Sequence, residues 1–202
     1  MARKYRSSTR QEAKQDTRER ILDAVVEVVT RQGVHAFTVQ NVADAAGVAH
    51  RTVYRHFATR EDLLDGLDEL IESRGREAGL NPESEALDDL THLVRSAYRS
   101  FEAFRDAIRA YVVISIALGR RVPTFERRTR RFRKHIARAF PGLTRAEVVE
   151  AAGVIRHLGS TRTWYLLTTE QDMSTDTASR AVCRAIQALL TDLANRDKNR
   201  AT

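Results

Sequence analysis

The sequence predicts an all-α globular protein with an anionic partner, and one observation carries each part of this expectation. Apolar residues recur at the three- and four-residue spacing of helices in tract after tract, while the alternating pattern of a strand is almost absent. The chain has 202 residues, of which 42% are hydrophobic and 30% are charged, so it can form one or two globular domains with a sizeable core. Its formal net charge of +7 favours an anionic partner, most often nucleic acid.

The N-terminal segment, residues 1–15, is basic and has no apolar periodicity. Its basic residues, opposed only by Glu12, are Arg3, Lys4, Arg6, Arg10 and Lys14. We expect this segment to be disordered, either as a solvated tail or as an arm that adds phosphate or minor-groove contacts. The first helix should begin near Asp16 or Thr17, because Asp16 and Glu19 have the spacing of a capping box, and it should end before Gly33.

Residues 38–57 have the pattern of two short helices joined by a tight turn. Thr38 is a candidate N-cap for the first helix, and Gly47 ends it because glycine adopts the positive φ of a tight helix end. The apolar stripe between them is Val39, Val42, Ala43 and Ala46. The second helix, residues 49–57, is too polar to be buried, and its polar residues are His50, Arg51, Thr52, Tyr54, Arg55 and His56. This pattern predicts a helix-turn-helix, whose second helix enters the major groove of DNA.

Over residues 17–70 the sequence resembles the tetracycline-repressor (TetR) family of transcriptional regulators. The matching positions are residues 17–24, Gly33, Thr38, Val42, Ala43, and residues 46–48, 52–57 and 60–64. The family usually has serine or threonine where Ala49 stands, and loss of such a cap costs ~0.5–2 kcal/mol. The recognition helix of this chain should therefore be less firmly ordered in the absence of DNA.

The resemblance implies roles for individual residues of this DNA-binding segment. Thr38, Tyr54, His56 and Arg60 match positions that usually hold phosphates, and helix N-termini favour anions in any case. The residues at the start of the recognition helix, His50, Arg51 and Thr52, are candidates to read base edges, with Arg51 able to bind guanine in bidentate fashion. The complete expected DNA-binding set is Thr38, Ala49, His50, Arg51, Thr52, Tyr54, Arg55, His56 and Arg60.

Further helices follow the recognition helix. Thr59 and Asp62 have capping-box spacing and open a helix rich in leucine, and Gly75, Gly79 and the 81–82 Asn-Pro pair should then break the chain. We therefore expect a DNA-binding domain at residues 16–74 and a helical effector-binding and dimerisation domain at residues 75–202. The expected helices of the second domain are residues 87–101, a central buried helix at 107–118, residues 123–140, one long helix at 144–167, and a last helix from near Ser174.

The expected role of residues 75–202 comes from the resemblance alone: family members bind a small effector there and dimerise through the last two helices. The polar and aromatic residues on otherwise apolar helices are the candidates for effector contact, although packing or an ordinary surface position explains each of them more simply. They are Tyr98, Arg109, Tyr111, Ser115, His157, Arg162, Trp164 and Tyr165. The arginine-rich tract at residues 120–138 has three interpretations: a solvated face, a site for an anionic effector such as an acyl-coenzyme A, or an auxiliary DNA contact.

Other function classes find little support in the sequence. No catalytic set, metal-ligand spacing or phosphate loop occurs, so we expect no enzyme activity, no metal and no cofactor. Cys183 should be a core residue, and without a run of ~18 apolar residues or a secretory signal the protein should be cytoplasmic. The sequence thus predicts a homodimeric TetR-like regulator, a repressor of a near-palindromic operator that an effector releases. The alternative is a ligand-independent DNA-binding regulator or architectural protein; effector, operator and regulated genes stay open.

Overall fold

Ten α-helices account for most of residues 2–77, 90–120 and 123–201, the part of the chain that this computed structural model describes, and no strand occurs in that part. The predicted all-α class is therefore confirmed. The helices are α1 Ala2–Gln32, α2 Val39–Ala46, α3 His50–His56, α4 Arg60–Glu77, α5 Leu90–Ala103, α6 Arg105–Ala117, α7 Pro123–Ala139, α8 Arg145–Leu158, α9 Thr161–Thr169 and α10 Thr175–Ala201. None of the described helices is long and apolar enough to cross a membrane.

The chain divides into two compact units. The first contains residues 1–72 and 106–120, and the second contains residues 73–105 and 121–202. This division differs from the expected boundary, because α6 joins the N-terminal helices instead of the C-terminal ones. Polar contacts join them: the Arg120 guanidinium, just after α6, donates to the backbone oxygen of Glu61 at 2.9 Å and pairs with Asp65, both on α4.

Each unit has its own core. In the first unit, α1, α2, α3 and α4 bury Ile21, Leu22, Val25, Phe37, Val42, Val53, Leu63 and Leu67, which are fully inaccessible to solvent. In the second unit the largest buried side chains are Trp164, Tyr98, Phe132, Ile136 and Ile186. Cys183 is also buried, as the sequence predicts.

The start of α1 and the end of α4 differ from the boundaries that the sequence predicts. Helix α1 begins at Ala2 instead of near Asp16, so Asp16 lies inside a helix and forms no capping box with Glu19; Glu19 instead accepts a hydrogen bond from Gln15. The physical reason is that glutamine, glutamate, lysine, arginine and alanine are strong helix formers even without an apolar stripe. Gly75 does not break the chain, because α4 continues to Glu77; Gly79 and residues 81–82 lie outside the described residues.

The long helix expected at residues 144–167 is two helices. A capping box of Thr144 and Glu147, which have the three-residue spacing of such a box, starts α8, but α8 ends at Leu158 and α9 begins at Thr161. The Ser160 side chain caps α9 by accepting from the Thr163 backbone N–H at 3.2 Å, and the Tyr98 phenol donates to the Leu158 carbonyl at 2.7 Å. These side chains satisfy the backbone groups that the break exposes, which an uninterrupted apolar pattern does not reveal.

Candidate nucleic-acid interface

Helix α2 has the predicted boundaries and caps. The Thr38 hydroxyl accepts from the backbone N–H of Asn41 at 3.2 Å, and Gly47 adopts the left-handed conformation with φ of 62°. The Arg20 guanidinium of α1 donates to the Ala46 carbonyl at 2.8 Å and so satisfies one of the last carbonyls of α2. Helix α2 is therefore fixed at both ends, which gives the following helix a defined starting point.

Helix α3 begins without a side-chain cap, as the sequence predicts. Ala49 is the N-cap, with φ −64° and ψ 142°, and no side chain accepts a hydrogen bond from the first turn. The Thr52 N–H instead returns to the Ala49 carbonyl at 2.7 Å, a tight bond across three residues. The first turn of α3 consequently depends on backbone hydrogen bonding alone.

The two sides of α3 differ sharply in burial. Val53 is fully buried and Phe57, which follows the helix, is 3% exposed, so these two side chains anchor α3 to the core of the first unit. The opposite side is open to solvent and carries His50, Arg51, Tyr54 and Arg55, whereas Thr52 and His56 are half-buried. A short helix held by two apolar anchors with donors on its outer side is the arrangement a recognition helix needs.

Aromatic contacts order part of this surface. The imidazole of His50 lies edge-on to the Tyr54 ring, with the ring centroids 4.9 Å apart. Tyr54 is nonetheless 47% exposed, which is high for so large a side chain. Burial lowers the pKa of His56, and the charges of Arg55, Lys14 and Arg18 lower it further, so His56 presents a neutral imidazole near neutral pH. A phosphate beside His56 would oppose this effect and favour the charged ring.

The start of α4 holds Arg60 beside α2. Thr59 and Asp62 form the predicted capping box: the Asp62 carboxylate accepts from the Thr59 N–H, and the Thr59 hydroxyl accepts from the Asp62 N–H, both at 3.0 Å. The Arg60 guanidinium lies 5.0 Å from the centroid of Phe37, the residue before Thr38. An exposed cation–π contact of this kind contributes ~0.5–1 kcal/mol and limits where the arginine points.

Two positioning residues of this surface escaped sequence reasoning. Arg18 on α1 stacks its guanidinium 5.1 Å from the Phe57 ring and pairs with Glu69 on α4 at 2.7 Å. Gly66 on α4 faces the same ring, since a Cβ built there would lie 2.5 Å from Phe57 Cε1. Both residues lie within residues 17–70, the segment that resembles the family. Their positioning of the Phe57 ring is visible only from contacts between α1, α3 and α4.

The residues expected to contact an effector fall into both units. Arg109, Tyr111 and Ser115 lie in the first unit, while Tyr98, His157, Arg162, Trp164 and Tyr165 lie in the second. Several of them use their polar atoms internally: Ser115 donates to the Val112 carbonyl at 2.8 Å, and the Trp164 indole donates to Thr175 at 3.0 Å. Burial raises the pKa of Tyr111 and of Tyr98, so both phenols stay protonated as donors. His157 and Arg162 are exposed.

The described residues show no metal-ligating cluster of three or more histidine, cysteine, aspartate or glutamate side chains. They do show one groove that sequence reasoning missed. It lies between α5 and α10, and none of the residues expected for effector contact lines it. The sequence does contain a signal for this groove. Thr177, Arg180, Arg184 and Gln187 recur at three- and four-residue spacing, which predicts one polar and basic face on α10.

Comparison with known proteins agrees with this geometry. The family described as "Bacterial regulatory proteins, tetR family" matches residues 21–67. The HTH-type transcriptional regulator AcrR of Shigella flexneri is 42% identical over 73 residues, which are 36% of this chain and 32% of that protein. The HTH-type transcriptional repressor KstR2 of Rhodococcus jostii RHA1 is 29% identical over 103 residues, which are 48% of this chain and 50% of that protein.

The chain thus spans 32% and 50% of the lengths of these two curated relatives. Likeness over a greater length comes from a solved structure of a TetR variant from Acinetobacter baumannii AYE in complex with minocycline. It superposes with a TM-score of 0.56 over 90% of this chain and 97% of the other, at 18% sequence identity. At that identity the likeness shows a shared fold.

Proposed function

We propose that this chain is a TetR-family transcriptional regulator, a homodimeric repressor that binds a near-palindromic operator and is released from it by a small-molecule effector; the tetR-family match over residues 21–67 supports this proposal. One observation carries the DNA-binding part: the outer side of α3 presents His50, Arg51, Tyr54 and Arg55 to solvent while Val53 anchors the helix from behind. Two such helices related by two-fold symmetry would lie about 34–36 Å apart on successive turns of a major groove.

The first experiment selects duplexes from a random pool with the purified protein and measures affinity against salt. We expect a symmetric consensus, and an affinity that falls steeply with salt because bound cations are released from the phosphates. Arg51→Ala should relax preference at one symmetric base pair and cost ~1–3 kcal/mol there if it makes a bidentate guanine contact.

A matched pair of variants separates base reading from phosphate contact. Arg60→Ala and Tyr54→Phe should weaken selected and random duplexes alike, since phosphates carry no sequence information. Arg31→Ala removes the same charge from the end of α1, where Arg31 pairs with Glu27, and should change neither affinity nor consensus. An unchanged consensus in Arg51→Ala would show that another residue reads the base.

The homodimer part of the proposal rests on α8. Among the described residues, α8 carries two of the four large apolar side chains that are most exposed, Val149 at 38% and Val154 at 51%, and Gly153 between them faces open space. The sequence predicts that the last two helices form the dimer contact, and the first of these, expected at residues 144–167, is divided into α8 and α9. Of these two helices, α8 carries the exposed valines. We therefore place the dimer contact on α8 together with α10.

Sedimentation velocity tests the dimer. Val154→Arg should convert the dimer to a monomer and abolish binding to the full operator, because burying an unpaired charge is costly. Ile116→Arg is the matched control, since Ile116 on α6 is 49% exposed, and it should leave the dimer intact. A monomeric wild-type protein that still protects a full palindrome would contradict the proposed assembly.

For effector release, we propose that α6 acts on α4. The Arg120 guanidinium binds the backbone carbonyl of Glu61 in the first turn of α4. The Tyr111 phenol is hydrogen-bonded to Asp68, which lies nearer the middle of α4. A ligand that prefers one position of α6 would shift α4 and, with it, Arg60. An effector can do so only by its differential affinity for the two states, typically 1–3 kcal/mol.

A compound screen that reads operator affinity identifies such a ligand. Arg120→Gln should then reduce the effect of the ligand, whereas Arg130→Gln on the exposed side of α7 should not. If no compound alters operator affinity, the chain is a regulator without a ligand. If selected and random duplexes also bind equally, it is an architectural protein.

A further inference from the structure

A groove between α5 and α10 lies wholly within the second unit. Its volume is about 640 Å³, inside the range of roughly 300–1,000 Å³ that is usual for small-molecule sites. Helix α5 contributes Thr91 and Arg95 to one wall. The groove is open on one side, so a ligand can enter it without unfolding of either helix.

Helix α10 forms the other wall with side chains that share one face. Thr177, Arg180, Arg184 and Gln187 are separated by three, four and three residues, which places them in a row along the helix. Arg180 and Arg184 are like charges one turn apart, an arrangement that destabilises a helix when nothing compensates it. Arg95 adds a third arginine to the lining of the same groove, from α5.

These guanidiniums have few protein partners. Arg180 donates to the Thr177 hydroxyl at 3.1 Å. Throughout the described residues, no carboxylate pairs with Arg95, Arg180 or Arg184. Arginines that line one groove from two helices, with no carboxylate among the described residues to neutralise them, create a positive potential there, which an anion would relieve.

The base of the groove is less polar than its walls. Cys183 forms the floor between the two helices and is only 4% exposed. Its thiol donates a hydrogen bond to the Thr91 carbonyl at 3.4 Å, so it offers no free polar group to a ligand. The aliphatic stems of the arginines add apolar surface above it. The groove therefore combines a charged wall with an apolar base.

We propose that this groove binds a small molecule with a phosphate or carboxylate headgroup on an apolar body. Arg95 and Arg184 hold the headgroup from opposite helices, since the planar guanidinium fork matches the geometry of both kinds of anion. The apolar body lies along the floor beside Cys183. The site is separate from the residues expected to contact an effector, and it does not depend on DNA binding or on release from an operator.

The test is calorimetric titration of the full-length, DNA-free protein with octyl phosphate, octanoate and octan-1-ol. We expect at least one of the two anions to bind once per protomer and octan-1-ol to bind at least about tenfold more weakly, because ~1.4 kcal/mol of lost interaction is a tenfold change in Kd. The two anions distinguish a phosphate from a carboxylate headgroup. Equal affinity for octan-1-ol, or no binding of either anion, overturns the proposal.

Variants locate the binding. The double variant Arg95→Gln/Arg184→Gln should lower the affinity for the anion at least about tenfold. Arg99→Gln is the matched control, because Arg99 is exposed one turn further along α5 and does not line the groove, and it should change nothing. A double variant that melts at the wild-type temperature yet keeps full anion affinity refutes the site. The site is also refuted if the double variant loses affinity for random duplex DNA but keeps its affinity for the anion. That result would make the groove a nucleic-acid surface.

Discussion

The uncapped start of the recognition helix offers the sharpest test of the structure. Ala49→Ser places a hydroxyl at an exposed N-cap with φ −64° and ψ 142°, an extended conformation that a capping serine also adopts. Its oxygen can accept from the backbone N–H of Arg51 or Thr52. Thr38 already does this for α2, accepting from the Asn41 N–H at 3.2 Å.

The size of the effect follows from what the first turn of α3 already has. Exchange of alanine for a capping residue contributes ~0.5–2 kcal/mol in general. Here the Thr52 N–H is partly satisfied by the Ala49 carbonyl at 2.7 Å, so the new bond replaces an existing one. We therefore expect a gain of about 0.5–1 kcal/mol, in the lower half of the usual range. For a chain of this length that raises Tm by roughly 1–4 °C.

Thermal unfolding of the free protein and operator affinity are measured side by side. Both should rise, because a recognition helix that is ordered beforehand loses less entropy on binding. A rise in affinity without a rise in Tm would mean that the serine contacts phosphate directly. Ala45→Ser is the matched control on the exposed side of α2, where no N–H is unsatisfied, and it should not stabilise the protein. If Ala49→Ser changes neither quantity, the reasoning about the missing cap is refuted.

Three further changes test the packing around these sites. Gly66→Ala should lower the free energy of unfolding by about 1–3 kcal/mol in urea titrations, because the new Cβ would lie 2.5 Å from the buried Phe57 ring. Tyr98→Phe should cost ~1–3 kcal/mol by the same measurement, since the Leu158 carbonyl loses its phenol donor. Hydrogen bonds from Arg200 and Thr144 lower the pKa of Glu147 to about 2 from 4.5, so the stability this carboxylate provides is fully present above pH 4.5 and is lost as the pH falls towards 2. The difference in unfolding free energy between wild type and Glu147→Gln should therefore shrink over that pH range.

Each of these changes has its own control. Phe57→Leu should relieve the crowding in the double variant with Gly66→Ala, giving a favourable coupling energy. Tyr165→Phe removes a phenol with no hydrogen bond among the described residues and should be neutral. A difference between wild type and Glu147→Gln that stays constant from pH 6 to pH 2 would show that the Arg200 contact does not stabilise the folded state.

Sequence reasoning succeeded where a structure depends on neighbours in the chain. The caps at Thr38, Thr59 and Thr144 and the left-handed Gly47 each involve groups within four residues, so residue type and spacing predict them. Residue type and spacing predict Ala49 at the start of α3 for the same reason. The family resemblance supplied the roles proposed for the exposed residues of α3, which no local rule gives.

Sequence reasoning failed where the decisive partner is distant in the chain. The break between α8 and α9 is stabilised by Tyr98, which is 60 residues away from Leu158. The assignment of α6 to the first unit depends on Arg120 reaching Asp65, and the basic groove exists only because α10 lies beside α5. The N-terminal extension of α1 was missed for a different reason, since strong helix formers need no apolar stripe.

The sequence by itself determined that the protein is all-α, that α2 and α3 form a helix-turn-helix, and that α3 lacks a cap, because helix periodicity and capping are local properties of the chain. Only the tertiary structure decided which side of α3 faces solvent, which residues fix Phe57, which helix α6 packs against, and where positive charge collects in the second unit. These features arise from contacts between segments far apart in sequence, and burial and electrostatic potential are properties of such contacts rather than of any single segment.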